Sequence, residues 1–157
     1  MKDLLNTLYE SEQEDQWHVE RLDYNNYVNI VESKIRNVFS KGAFSELNAE
    51  KVVEVIYLII YKKGSARFAC TLGRGEDNVL RCPFSAPFGY LEEIKSKQSV
   101  SDFYRAAAAV NDYLDNANEK AVTITFPPLF YDNKIIGVWI NALFQTGWKV
   151  EYFEINY

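Results

Sequence analysis

Few residues in this 157-residue chain have side chains suited to chemistry, and they lie apart from one another. His18 is the only histidine. It falls on the alternating stretch Trp17 to Leu22, where a strand would carry it as a surface residue rather than a general base. Cys82 precedes Pro83 in apolar surroundings with no histidine nearby to draw off its proton, so a thiolate nucleophile is not indicated. Ser85 lacks the Gly-x-Ser-x-Gly frame that strains a serine into a hydrolase elbow. Asp132 stands just before an apolar-periodic segment and reads as a helix cap. Glu92 and Glu93 offer two carboxylates, either to a cationic acceptor or to solvent in a loop. No His, Cys, Asp and Glu share a metal-ligand spacing, so no metal is expected.

The densest conjunction is Cys82 to Glu93, Cys-Pro-Phe-Ser-Ala-Pro-Phe-Gly-Tyr-Leu-Glu-Glu. Pro83 and Pro87 cannot donate ladder hydrogen bonds, so a central strand cannot run straight through. Gly89 permits a close backbone approach. One reading is a strand that splays from its neighbour and lines a cleft, with Phe84, Ser85, Phe88, Gly89, Tyr90 and Glu92 as substrate-binding residues. The other is a proline-broken edge strand that covers a core. Both readings stay open.

The elements around this stretch follow from periodicity. Residues 1–16 carry Leu4, Leu5 and Leu8, then an acidic run, as a short amphipathic helix would. Trp17 to Leu22 reads as a first strand. Asp23 caps a helix over 24–38 with Tyr27, Ile30, Val31, Ile35 and Val38 on one stripe, and Lys41-Gly42 ends it. Phe44 to Glu50 is a connection. Val52–Tyr61 and Ala66–Leu72 form a hairpin through Lys62-Lys63-Gly64-Ser65, and a second turn over 73–78 leads to a third strand from Val79. Ser99 opens the next helix with Asp102 as its capping-box partner, and Phe103, Ala107, Val110 and Leu114 form its apolar stripe. Val122 to Phe126 is a strand stopped by Pro127-Pro128. A last helix places Ile136, Trp139, Leu143 and Phe144 inward and ends at Gly147. Trp148 to Ile155 is a final strand. Strand, helix and strand in this order imply a parallel pair joined by a crossover.

The totals set the class. Hydrophobic residues are 48% and charged residues 25%, ordinary for a globular domain with a sizeable core. Net charge is −5, with 17 Lys plus Arg against 22 Asp plus Glu. No Lys/Arg cluster exceeds a pair, which argues against nucleic acid and against anionic membrane as partners. A local basic pocket of Arg67, Arg74 and Arg81 is still compatible with that balance. Cys70 and Cys82 sit in apolar strand contexts as buried reduced thiols, which fits a cytoplasmic protein.

The order β-α-β-β-β-α-β-α-β resembles the GNAT acyltransferase fold. Three segments sharpen the likeness: Cys82-Pro-Phe-Ser-Ala-Pro-Phe-Gly-Tyr90 before a capped helix, Ile124-Thr-Phe-Pro-Pro-Leu-Phe-Tyr131, and Asn141-Ala-Leu-Phe-Gln-Thr-Gly-Trp148. Together they resemble the N-terminal half of bacterial FemAB-like and polysaccharide-biosynthesis acyltransferases, over roughly residues 17–157. The resemblance implies an α+β class, a GNAT-like mixed sheet flanked by helices. It implies one domain over 1–157, alone or as the first half of a longer two-domain protein. The implied activity is acyl or aminoacyl transfer to a small-molecule amine or hydroxyl acceptor. It gives Tyr131 the place of a catalytic acid; the bland reading is a phenol packing with Pro128. The family's pyrophosphate turn, Arg/Gln-x-x-Gly-x-Gly/Ala, has no counterpart between Gly89 and Ser101. A single glycine is followed there by Leu91-Glu92-Glu93, whose carboxylates would repel a pyrophosphate. No cofactor is therefore expected, acetyl-coenzyme A included. A non-catalytic binding or assembly domain on the same fold is the alternative. Trp148–Ile155, as an outer strand with exposed Trp148, Tyr152 and Phe153, would favour a homodimer or docking of a second GNAT-like half.

Overall fold

The computed structural model describes residues 16–35, 37–82, 89–91, 99–127 and 133–151. Its first strand, β1 (Trp17–Leu22), pairs antiparallel with β2 (Glu54–Lys62), and β2 pairs antiparallel with β3 (Ser65–Arg74). The β2–β3 turn places Lys63 at φ 52° and Gly64 at φ 72°, a two-residue turn whose twist matches that of the strands. Ile60 faces Phe68 while Tyr61 faces Ala66, which leaves Arg67 as the extra residue of a bulge. Two short strands share the outer edge of β3: β4 (Leu80–Arg81) and β5 (Gly89–Tyr90). A crossover through the helix α3 (Val100–Asn116) then brings β6 (Val122–Thr123) parallel to β4. The sheet is thus mixed, in the order β1-β2-β3-β4-β6, and the fold is α+β.

Alternation along β2 explains why helices lie on both faces. Ile56, Leu58 and Ile60 point to one side with Phe68, Cys70 and Leu72 of β3. They are covered there by Phe103, Ala106, Ala107 and Val110 of α3 and by Trp139 of α4 (Asn133–Gln145). Tyr57 and Ile59 point to the other side with Ala69 and Leu91, under Tyr27 and Val31 of α1 (Tyr24–Val31). Ala106 and Ala107 are fully buried, so small side chains let α3 sit close on the strands.

The helix starts follow the expected chemistry. Asp23 accepts from the Asn26 amide at 2.9 Å, and Ser99 with Asp102 forms a reciprocal capping box. At the end of α4, Gly147 adopts φ 102°. Its amide donates to Phe144 and that of Trp148 to Leu143, the paired bonds of a Schellman cap.

Several expectations are corrected. The helix expected over 24–38 stops at Val31, because Asn37 turns its Oδ1 to the Phe39 amide and starts a 3₁₀ turn, Val38–Ser40, that leaves Val38 exposed. Gly42 does not end that helix; it begins α2 (Gly42–Leu47), where a Cβ would lie 2.6 Å from Cγ2 of Val28. Phe144 is 61% exposed rather than inward, and Ala142 takes the buried place. The strand expected over 122–126 is only two residues long, since β4 ends at Arg81 and offers Ile124 onward no ladder. Residues 148–151 form no strand. Trp148 instead packs on the core and donates its indole N–H to Asn111 at 2.7 Å, and 152–157 lie outside the described residues.

Candidate functional site

The irregular place in the sheet is the outer edge of β3. Gly73 and Arg74 face β4, while Phe68 and Ala69 face β5. Cys70, Thr71 and Leu72 lie between them with no strand partner on that side among the described residues. Seven residues, 82–88, join the two short strands across that span. The parallel neighbour parts from the sheet at the same point. Cys82 donates its amide to Thr123 at 3.2 Å, and the Thr125 amide donates to the Cys82 sulfur at 3.1 Å. Among the described residues the β4–β6 ladder does not continue beyond that bond.

Cys82 is therefore structural. Its thiol is buried and also donates to the Thr125 carbonyl at 3.4 Å, substituting for a missing ladder bond. Cys70 is free and buried beneath the break, and burial, then the neighbouring Cys82 thiol, push its pKa well up. The cavity between Cys70, Leu58, Val110, Ile124 and Trp148 is apolar and about 10 Å³, at the lower limit for a single water.

Of the residues expected to line a cleft, Gly89 and Tyr90 belong to β5 and pair with β3 through their backbones. Phe84, Ser85, Phe88, Glu92 and Tyr131 lie outside the described residues, as does Asp132. His18 stacks on Tyr61 with ring centroids 5.1 Å apart and contacts Glu20 at 3.1 Å, as a partly exposed surface residue does. Among the described residues no group of three His, Cys, Asp or Glu could hold a metal ion, and no helix is long and apolar enough to cross a membrane.

The arginines do not make a basic pocket. Arg74 forks onto Glu119 at 2.6 and 2.9 Å and reaches Glu54 at 3.0 Å, and Glu54 also holds Arg21. These hydrogen bonds, led by Arg21 at Glu54 and by Arg74 at Glu119, hold both carboxyls below the usual range. Arg81 is matched by Asp77 at 2.6 Å, which lowers the Asp77 pKa to about 2. Arg67 buries its Nε with no hydrogen-bond partner.

Two features escaped the sequence reading. The Arg21–Glu54–Arg74–Glu119 chain joins residues far apart in sequence, and no local pattern announces it. The second is an open groove of about 700 Å³ between α3 and α4, lined by Val100, Tyr104, Arg105, Val138 and Asn141. A helical wheel carries a signal for it: Val100, Tyr104 and Ala108 fall on one line outside the buried stripe.

Comparison with family models, with curated proteins and with solved structures finds no match.

Proposed function

We propose that this chain is an acyltransferase-related domain, the acceptor-side half of a FemAB-like enzyme on a GNAT-like fold. It would bind an amine or hydroxyl acceptor and take no coenzyme A of its own. The carrying observation is the two-residue parallel pair β4–β6 beside a β3 edge that β4 and β5 share. An antiparallel meander runs into a parallel pair of only two residues, β4–β6, while the chain returns to β3 as β5. A sheet that opens between two parallel strands would make a wedge in which an acyl carbonyl and an attacking acceptor could meet. The resemblance gives Phe84, Ser85, Phe88, Gly89, Tyr90 and Glu92 to the acceptor and Tyr131 to proton transfer. A second copy or a second GNAT-like half is the partner this reading calls for.

A specific observation favours a second reading, a non-catalytic binding or assembly domain. The described carboxylates with lowered pKa are committed to structural partners: Glu54, Asp77, Asp102 and Glu119 to arginine or lysine, and Asp23 to the helix start it caps.

Calorimetric titration separates the two. Under the first reading acetyl-coenzyme A does not bind saturably, while some amino sugar or amino acid of an acceptor panel does. Glu92→Gln then weakens that acceptor about tenfold, the worth of one charge-assisted hydrogen bond. Low-micromolar binding of acetyl-coenzyme A overturns the acceptor-side assignment. A panel without any binder leaves the assembly reading.

A further inference from the structure

We propose that the outer face of α3 is a self-association surface, on which a second copy of this chain lays its own α3 antiparallel. The face consists of Ser101, Tyr104, Arg105, Ala108, Asp112 and Asp115, which recur at helical spacing opposite the buried stripe. Its Tyr104 is 49% exposed, as is Val100 at 66% beside the face, and both border the groove against α4. That exposure alone would not say what covers it. The order of charges does.

Arg105 lies toward the N-terminal end of the face, and Asp112 and Asp115 toward its C-terminal end. A parallel partner would set Arg105 against Arg105. A nucleic acid or anionic bilayer would meet two carboxylates for one guanidinium. An antiparallel copy of the same helix is the complementary surface. With a twofold axis beside Ala108, Arg105 of each copy faces Asp112 of the other, and Ser101 comes opposite Asp115. The two charge pairs stand about 10 Å apart, two helical turns, on either side of the centre. Such an isologous contact closes on itself. Ala108 at the crossing has only a methyl group, so the helix axes can approach to about 8 Å. Tyr104 then lies across the partner helix near these pairs, an aromatic of the kind that dominates interfaces. Arg105 also keeps an interaction within its own chain, and a guanidinium carries five N–H donors.

The surface is independent of the acyltransferase reading and of the segment after Trp148. Sedimentation equilibrium of the whole chain tests it, with thermal melts showing that each variant is folded. The wild type should dimerise reversibly. Arg105→Asp and Asp112→Arg should each weaken the dimer by roughly tenfold or more, because each sets like charges opposite one another. The double variant Arg105→Asp/Asp112→Arg should restore wild-type association. A wild type that stays monomeric at every concentration overturns the proposal. So does a dimer indifferent to both single reversals, and so does a loss that the double swap fails to repair.

Discussion

Asp102 shows how one side chain serves two elements. It is the N3 residue of the α3 capping box and accepts the Ser99 amide at 2.9 Å, while Lys62 at the end of β2 donates to it at 2.8 Å. Lys62 lies in turn over the Trp17 ring, 5.5 Å from its centroid. Burial raises the Asp102 pKa, but the hydrogen bonds from Lys62 and Ser99 outweigh it, and the net direction is below 3.8. A carboxyl lowered on folding contributes stability above its unfolded pKa and loses it as pH falls through the folded value. Asp102→Asn keeps an acceptor for the Ser99 amide but removes the charge that Lys62 pairs with there. It should cost about 1–2 kcal/mol at neutral pH, from the charge-assisted bond lost at a largely covered site. The deficit should shrink as pH drops below 3.8, where the wild type loses the same interaction. Denaturant melts of both proteins across that range measure it, and a deficit independent of pH would assign the cost to packing instead. Residue-scale reading of the sequence did well where a bond is local: Asp23, Ser99 with Asp102, and Gly147 were all legible. It could not show Cys82 taking the Thr125 amide, because that contact exists only once β4 and β6 have met.

Helices α1, α3 and α4 were legible, though not in full extent, whereas α2 lies where a connection over Phe44–Glu50 was expected, and Gly42 shows why. A glycine after an apolar stripe reads as a terminator, yet here it opens α2 because α1 crosses it too closely for a side chain. A Cβ at Gly42 would stand 2.6 Å from Cγ2 of Val28 and 3.2 Å from Cε2 of Tyr24. Val28 is β-branched within a helix, so its χ1 has little freedom to turn away. Two effects then oppose each other in Gly42→Ala. The helix gains roughly 0.5–1 kcal/mol from restricting the unfolded chain. Overpacking against a stiff neighbour costs about 1–3 kcal/mol. The clash should win, with a net loss of about 1–2 kcal/mol. In Val28→Ala the obstructing methyl is gone, and Gly42→Ala added to that background should be neutral or stabilising. A double-mutant cycle by urea unfolding reads the coupling directly. Equal effects in both backgrounds would show that α1 and α2 yield without cost. The same kind of tertiary contact explains the other misread bounds. The short β6 and the non-strand course of 148–151 depend on where β4 ends and where Asn111 stands, which no local pattern carries.

For the whole molecule, the sequence disclosed the class and the meander-then-crossover order, and it marked Cys82 to Glu93 as the place where the sheet would fail to run straight. β4 ends at Arg81 and β5 begins at Gly89, and residues 83–88 lie outside the described residues. Most residues expected at the site, Phe84, Ser85, Phe88, Glu92 and Tyr131, lie outside the described residues. The charge chain at the other end of β3 is a property of the fold. Arg21 of β1, Glu54 of β2, Arg74 of β3 and Glu119 in the α3–β6 connection tie the meander to the crossover. Side-chain exposure is 17% at Arg74 and 16% at Glu119, so the pair is largely covered, whereas Glu54 at 35% is nearer the rim. Removing Arg74 alone leaves two carboxylates facing each other across the space its guanidinium filled. A fully buried pair broken in this way costs about 3–5 kcal/mol, and a surface pair almost nothing. Partial cover puts Arg74→Met at about 1–3 kcal/mol. Replacing the pair together, Arg74→Met with Glu119→Leu, removes the stranded charge and should recover more than half of that loss, since an apolar pair of similar volume avoids desolvation. Salt should narrow the gap between wild type and Arg74→Met only modestly, because covered charges are poorly screened. Urea melts of the three proteins at low and high salt decide the matter. If the double variant were no more stable than Arg74→Met, the carboxylate left behind would not be the source of the cost, and the alkyl packing of Arg74 would take its place.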